Sequence, residues 1–247
     1  MPTRIVLAPM AGVSIQAFRR QGRRFGAGLV CSEMVSAAGI EHRNERTFGY
    51  LRVAPDEHPL AIQIFGAEPR AMAEAARMVE AAGADIIDMN FGCPVRKVTK
   101  TGAGAHLLEE PALACRIVED VAAAVSVPVT VKMRRGVADG SRTCLELGPR
   151  FVEAGAASLT LHPRSARQMY TGYADHSLTA ELVELVDVPV VVGGIIPDAD
   201  SAELKDMGVA RVYTPKDFRL ARIMGDIAEL ARIRRTHSPQ AGATTRR

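Results

Sequence analysis

Short runs rich in Val, Ile, Leu and Met punctuate this chain at regular intervals: RIVLAP, LVCSEMV, LAIQIFG, DIIDMNFG, VPVTVKM, SLTLHPR, VPVVVGG and ARVYTP. Each is too short for a helix and carries branched or apolar residues, so each predicts a strand. Between them lie stretches such as PRAMAEAARMVEAAGA and PALACRIVEDVAAAV. Their apolar positions recur at helical spacing, and they stop at Gly or before a Val-Pro strand entry. Apolar strands separated by helical crossovers predict a parallel sheet buried on both faces.

Two closures fit this beat, an open doubly wound sheet and an α/β parallel (β/α)8 TIM barrel, and the count of eight favours the barrel. No GxGxxG follows the first strand, where APMAG stands instead, which argues against a dinucleotide-binding sheet. Residues 1–236 are expected to form a single barrel domain, and the small, polar, basic residues 237–247 a disordered tail.

Composition narrows the classes. With 47% hydrophobic residues over 247 positions, the chain can bury one large core. It has no Trp and few Phe or Tyr, so it offers no long aromatic platform for single-stranded nucleic acid. A net charge of +3 implies no polyanionic partner by itself; placement must decide. Cys31, Cys93, Cys115 and Cys144 lie far apart without metal-ligand spacing, so no disulfide framework and no metal site is expected. No leader-like or membrane-length apolar run is present, which predicts a cytoplasmic protein.

In a barrel, reactive residues belong at the C-terminal ends of strands. Those positions are unusually polar here: Pro9 and Met10 after strand one, Gln63 in strand three, Asn90 and Cys93 after strand four, Lys132 and Arg134 in strand five, His162, Arg164 and Arg167 after strand six. Each alone has a bland explanation: Gln63 satisfying buried backbone, Cys93 filling core, Lys132 as a solvated rim charge. Together they favour function. A Lys inside the apolar run VPVTVKM is costly to bury unless an anion or carbonyl meets it, and the surrounding cations point to an anionic ligand.

The runs APMAGVSIQAFR, SEMVSA, LAIQIFG, MNFGCPVRKVTKTGAGAHLL, VPVTVKMRRG and LHPRSARQMYTGYAD resemble, in order, the motifs of the tRNA-dihydrouridine synthases over about residues 4–185. The resemblance implies an FMN-containing (β/α)8 enzyme that takes hydride from NADPH and reduces uridine to 5,6-dihydrouridine in tRNA. It makes Cys93 the general acid, a role suited to a thiol, whose ordinary pKa of about 8.5 leaves it largely protonated at neutral pH. By the same resemblance Pro9, Met10, Gln63, Lys132 and His162 hold the flavin. Asn90 bonds the uracil, and Arg134, Arg164 and Arg167 suit phosphate or RNA, since guanidinium groups bond phosphate bidentately.

From about residue 186 the chain departs from that family. VVVGGIIP and VYTPKDF resemble the end of the cobalamin-binding domain of methylmalonyl-CoA mutases, a flavodoxin-like fold. We therefore expect residues 186–236 to be a graft standing in for barrel units seven and eight. Gly193 and Gly194 let backbone amides approach a phosphate, or form a tight turn only. The cobalt-ligating DxHxxG motif is absent, and the resemblance to the synthases implies a C-terminal helical tRNA-binding domain that this sequence is expected to lack. The alternatives are a non-catalytic hybrid barrel and a cobalamin-binding module.

Overall fold

A computed structural model of the chain describes residue 3 and residues 5–192. The expectations placed on Gly193, Gly194, the eighth strand, the graft beyond residue 192 and the tail lie outside the described residues.

The strands are β1 (Val6–Leu7), β2 (Leu29–Ser36), β3 (Leu60–Phe65), β4 (Ile86–Phe91), β5 (Val129–Arg134), β6 (Ser158–His162) and β7 (Val190–Val192). The helices are α1 (Gln16–Arg24), α2 (Ala37–Glu41), α3 (Glu45–Gly49), α4 (Pro69–Ala81), α5 (Arg96–Thr99), α6 (Pro111–Ala124), α7 (Thr143–Glu153) and α8 (Ser177–Leu185). The strands lie side by side in sequence order and every neighbouring pair is parallel. A doubly wound sheet would reverse its order at a switch point. The described residues instead form a singly wound, curled, barrel-type α/β sheet.

β1 is shorter than the run RIVLAP predicts. Pro9 has no N–H to donate, and the Ser14 hydroxyl takes the Ala8 carbonyl at 3.0 Å, so the ladder ends at Leu7. Strand alternation divides the sheet into two faces. Ile62, Ile64, Ile87, Met89, Phe91, Val131, Met133, Leu159 and Leu161 are fully buried against the helix layer. They meet the apolar stripes of the helices, among them Met72 and Val79 of α4, Ile117 and Val121 of α6, and Leu147 and Phe151 of α7. Phe91 and Phe151 touch edge to face, centroids 5.4 Å apart. α7 and α8 pack closely because position 148 is Gly: a Cβ there would stand 2.4 Å from Leu182 Cδ1.

The opposite face is polar. Gln63, Asp88, Asn90, Thr130, Lys132, Arg134, Thr160 and His162 all alternate away from the helix layer. Their register sets Gln63 beside Asp88, Asn90 beside Lys132, Lys132 beside Thr160 and Arg134 beside His162.

Candidate active site

The inner face carries a continuous hydrogen-bonded line across three strands. Thr130 Oγ1 donates to Asp88 Oδ1 at 2.6 Å, and Gln63 Nε2 donates to Asp88 Oδ2 at 2.6 Å. Gln63 Oε1 accepts from Asn90 Nδ2 at 2.8 Å. Asn90 Oδ1 in turn accepts the backbone N–H groups of Gly92, at 3.2 Å, and Cys93, at 2.8 Å. Asn90 thus turns the chain as it leaves β4 and fixes the backbone of Cys93.

The next turn of the loop is equally constrained. The Cys93 carbonyl accepts the Ala105 N–H at 3.0 Å. Position 104 must be Gly, because its φ is +65° and a Cβ would lie 2.6 Å from that carbonyl oxygen. Cys93 itself is a part-buried free thiol. Just beyond it opens a cavity of about 520 Å³, lined among others by Pro94, Arg96, Lys100, His106, Arg167 and Met169.

Lys132 makes no hydrogen bond or ion pair with the described residues. Burial pushes its pKa down, Asp88 pulls it back up, and Arg134 adds to the depression. Cys31 and Cys93 also lie within electrostatic reach of Lys132. His162 is pushed down from 6.5 to about 3, first by burial and then by Arg134, Lys132, Arg164 and His176. It is a neutral imidazole at ordinary pH, able to hydrogen-bond but not to supply charge.

The arginines grouped by sequence separate in space. Arg134 is buried and serves as a clamp: Nε donates to Gly92 O at 2.9 Å, and Nη1 donates to Ser165 O at 2.9 Å and Met169 O at 2.7 Å. Tyr170 covers its guanidinium at 5.4 Å. Arg164 is also buried, its Nε donating to Gly172 O at 3.2 Å and its Nη1 3.4 Å from His162 Nε2. Arg167 is exposed and lines the cavity with Arg96 and Lys100. Two of the three arginines expected to face phosphate therefore bond the loops that carry Gly92 and Met169–Gly172, and Arg167 faces the open rim.

Pro9 and Met10 lie part-buried in the loop after β1. Met10 O accepts from Val13 N at 3.1 Å and Ser14 N at 2.9 Å, and Glu33 accepts the Gly12 N–H. Sequence reasoning passed over Asp88, Thr130 and Glu33. Asp88 had a visible signal: a carboxylate two residues before Asn90 in a buried strand, on the same face.

Among the described residues there is no cluster of three or more His, Cys, Asp or Glu able to hold a metal ion, and no helix is long and apolar enough to cross a membrane.

Comparison with known proteins follows the same lines. The family described as dihydrouridine synthase matches residues 6–212, running past residue 186, where the graft is expected to begin. A probable tRNA-dihydrouridine synthase 1 from Synechocystis sp. is 42% identical over 202 residues, covering 81% of this chain and 56% of the relative. A probable tRNA-dihydrouridine synthase from Rhodobacter capsulatus is 40% identical over 235 residues, covering 89% and 70%. The chain thus spans between 56% and 70% of the length of these relatives.

Among solved structures, histamine dehydrogenase from Rhizobium sp. 4-9 aligns with a TM-score of 0.61 at 16% identity over 95% of this chain and 46% of its own. The old yellow enzyme homologue from Zymomonas mobilis aligns with a TM-score of 0.56 at 14% identity, over 86% and 84%. Identities this low speak for the fold alone. The sequence relatives carry the rest: with a family match that enters at the first strand and continues past the seventh, this chain belongs to the dihydrouridine synthase family.

Proposed function

We propose that this chain is an FMN-dependent oxidoreductase that reduces uridine to 5,6-dihydrouridine in tRNA with NADPH as reductant. The observation that carries this is Lys132: an ammonium on the inner face, depressed by burial, bonded to none of the described residues, and flanked in register by Asn90 and Thr160. A charged group so placed is costly unless an electron-rich ligand meets it. The ring edge of a flavin, with its carbonyl oxygens and acceptor nitrogens, fits that requirement. Gln63 and the neutral imidazole of His162 add hydrogen bonds, and Pro9 and Met10 line the loop above β1.

When bound and reduced by NADPH, FMN supplies the hydride. The chain supplies the proton and the orientation. Cys93, its backbone held by Asn90 and Ala105, gives the Sγ proton to one carbon of the uracil double bond while hydride adds to the other; the thiolate is then reprotonated from solvent. Lys132 would hold the polar edge of the flavin, its ammonium offsetting negative charge there. Asn90 donates to a uracil carbonyl through Nδ2. The cavity beyond Cys93, rimmed by Arg96, Lys100 and Arg167, is positively charged where a phosphate backbone would pass. Arg134 and Arg164 act here by holding the loops of that rim.

Residues 186–236 are proposed to complete the barrel as a graft of cobalamin-domain character, with Gly193 and Gly194 cradling the FMN phosphate. The support for this is the sequence VVVGGIIP followed by VYTPKDF. The protein is proposed to act in the cytoplasm.

A flavin titration followed by turnover on tRNA lacking the modification tests the whole. Bound FMN reduced by NADPH and then reoxidised by tRNA is the expected result. The Cys93→Ala variant is expected to accept electrons from NADPH normally but to lose at least about a hundredfold in uridine reduction, the scale of a general acid. Unchanged turnover in that variant rejects the role given to Cys93, and a protein that takes up no FMN rejects the function.

A further inference from the structure

Among the described residues other than glycine, only Arg43 and Met169 have φ in the left-handed region, at +50° and +53°. For side chains of this length that conformation is uncommon and strained. Arg43 stands two residues past α2, its N–H donating to the Ile40 carbonyl at 2.9 Å, where helices ordinarily end in that way. Met169 ends no helix; it lies in the loop between β6 and α8.

That loop is built to keep the strain. The buried Arg134 donates from Nη1 to the carbonyls of Ser165 at 2.9 Å and Met169 at 2.7 Å, and the Met169 N–H donates to Ala166 O at 3.1 Å. Gln168 ties the loop to itself through Ser165 and through Tyr173 O at 3.1 Å. Ala166 N to Gly136 O at 2.9 Å and Arg167 N to Val137 O at 3.1 Å fix it to the loop after β5. A strained residue persists only when its surroundings over-determine it, and such residues gather where ligands are gripped. Glycine would make the same turn without strain, so the thioether serves something other than the turn.

Met169 is 39% exposed, is not among the side chains packed on the hydrophobic core, and lines the cavity that also takes in Pro94, the residue after Cys93. Its neighbour Tyr170 covers Arg134; the Met169 side chain faces the open cavity instead. Arg96, Lys100 and Arg167 surround it, and the one carboxylate in that lining, Glu109, lies 3.5 Å from His106 Nδ1. An apolar projection ringed by cations matches a nucleic-acid strand, whose phosphates meet the cations while its base faces meet the thioether.

We propose that Met169 is a wedge that enters the base stack beside the uridine delivered to Cys93 and holds open the gap that the displaced base leaves. This rests on the proposed function: the uracil ring must reach the site, and a base inside a stack has to be taken out before chemistry is done on it. Methionine is among the side chains that proteins insert between base steps, and its unbranched, polarisable chain suits contact with ring faces.

The test uses the flavin-loaded protein and tRNA. The uridine that the wild type reduces is located first, and 2-aminopurine, whose fluorescence rises when it loses its stacking partner, then replaces the base beside it. Met169→Gly removes the wedge and the strain together. It is expected to raise the urea midpoint of folding and to cut the 2-aminopurine rise at least about threefold, because the gap closes again. On tRNA, kcat is expected to fall about tenfold while KM changes less than about twofold, since the cations still hold the backbone. Met169→Leu, which keeps an apolar side chain, is expected to recover most of the fluorescence rise. A lower urea midpoint in Met169→Gly makes the side chain a prop of the loop and overturns the proposal, as does a variant with wild-type fluorescence and wild-type kcat. Slower reduction of the flavin by NADPH in Met169→Gly would assign the thioether to the nucleotide donor and overturn it too. A wild type that binds FMN but reduces no uridine defeats the proposed function and the wedge with it, whereas failure of the wedge alone appears only in the variants.

Discussion

At the scale of single residues, His162 shows how the site spends stability to hold a neutral group. Its pKa in the folded chain, about 3, lies well below the ordinary 6.5, with burial as the leading cause. Between those values the unfolded chain binds a proton that the folded chain refuses. The sign follows: the His162 contribution is intact above about pH 6.5 and is lost as the pH falls towards about 3, at up to about 1.4 kcal/mol per unit. Asp88, shifted upward, works in the opposite sense just above its ordinary 3.8, so the total acid profile mixes the two. The difference between wild type and His162→Gln isolates the histidine. We expect the stability advantage of the wild type over this variant, from urea denaturation, to shrink steadily from about pH 6.5 to about pH 4. A difference independent of pH would mean that His162 is not held neutral by its surroundings.

Elements show which parts of this architecture were legible in the chain. Seven of the eight expected strands stand where the apolar runs put them, and the two quoted helical stretches form α4 and α6, because period two and period 3.6 are local signals. The eighth lies outside the described residues. The pairing of α1 with the turn at Pro55–Glu57 was not legible, since it joins residues about forty apart through side chains of no distinctive pattern. Two neighbouring arginines of α1 reach that turn. Arg19 meets Glu57 at 2.8 Å with side chains 3% and 0% exposed, and also bonds the Ser14 and Arg52 carbonyls. Arg20 meets Asp56 at the same distance with side chains 50% and 57% exposed. Magnitude separates them. Arg19→Ala leaves Glu57 buried without its counter-charge and is expected to cost about 3–5 kcal/mol. Arg20→Ala gives up a solvated pair worth about 0–1 kcal/mol. Equal losses in chemical denaturation of the two variants would show that α1 is held by something other than the buried pair.

For the molecule as a whole, the ring site and the phosphate site of the proposed ligand belong to different stretches of sequence. Gln63, Asn90, Cys93, Lys132 and His162 converge because strands of one parallel sheet all end on the same side, and that convergence was readable once the strands were placed. The hydrogen bonds that join Asp88 to Gln63 and Thr130 were not, because they cross between strands and sequence shows only one strand at a time. The phosphate contacts proposed for Gly193 and Gly194 belong to the chain after β7, where the resemblance changes while the family match continues to residue 212. Comparing FMN with riboflavin separates the two halves of the site. Riboflavin has the same ring but no phosphate, so it reports the barrel face alone, and FMN adds whatever the glycine turn contributes. A working cradle of backbone amides is expected to make FMN bind at least about tenfold more tightly, a difference of about 1.4 kcal/mol. Gly193→Ala is expected to erase that preference while leaving riboflavin affinity unchanged, and Lys132→Met to weaken both ligands alike. Equal affinity of the wild type for the two flavins would separate ring recognition, seated on β3 to β6, from any phosphate site in the chain that follows.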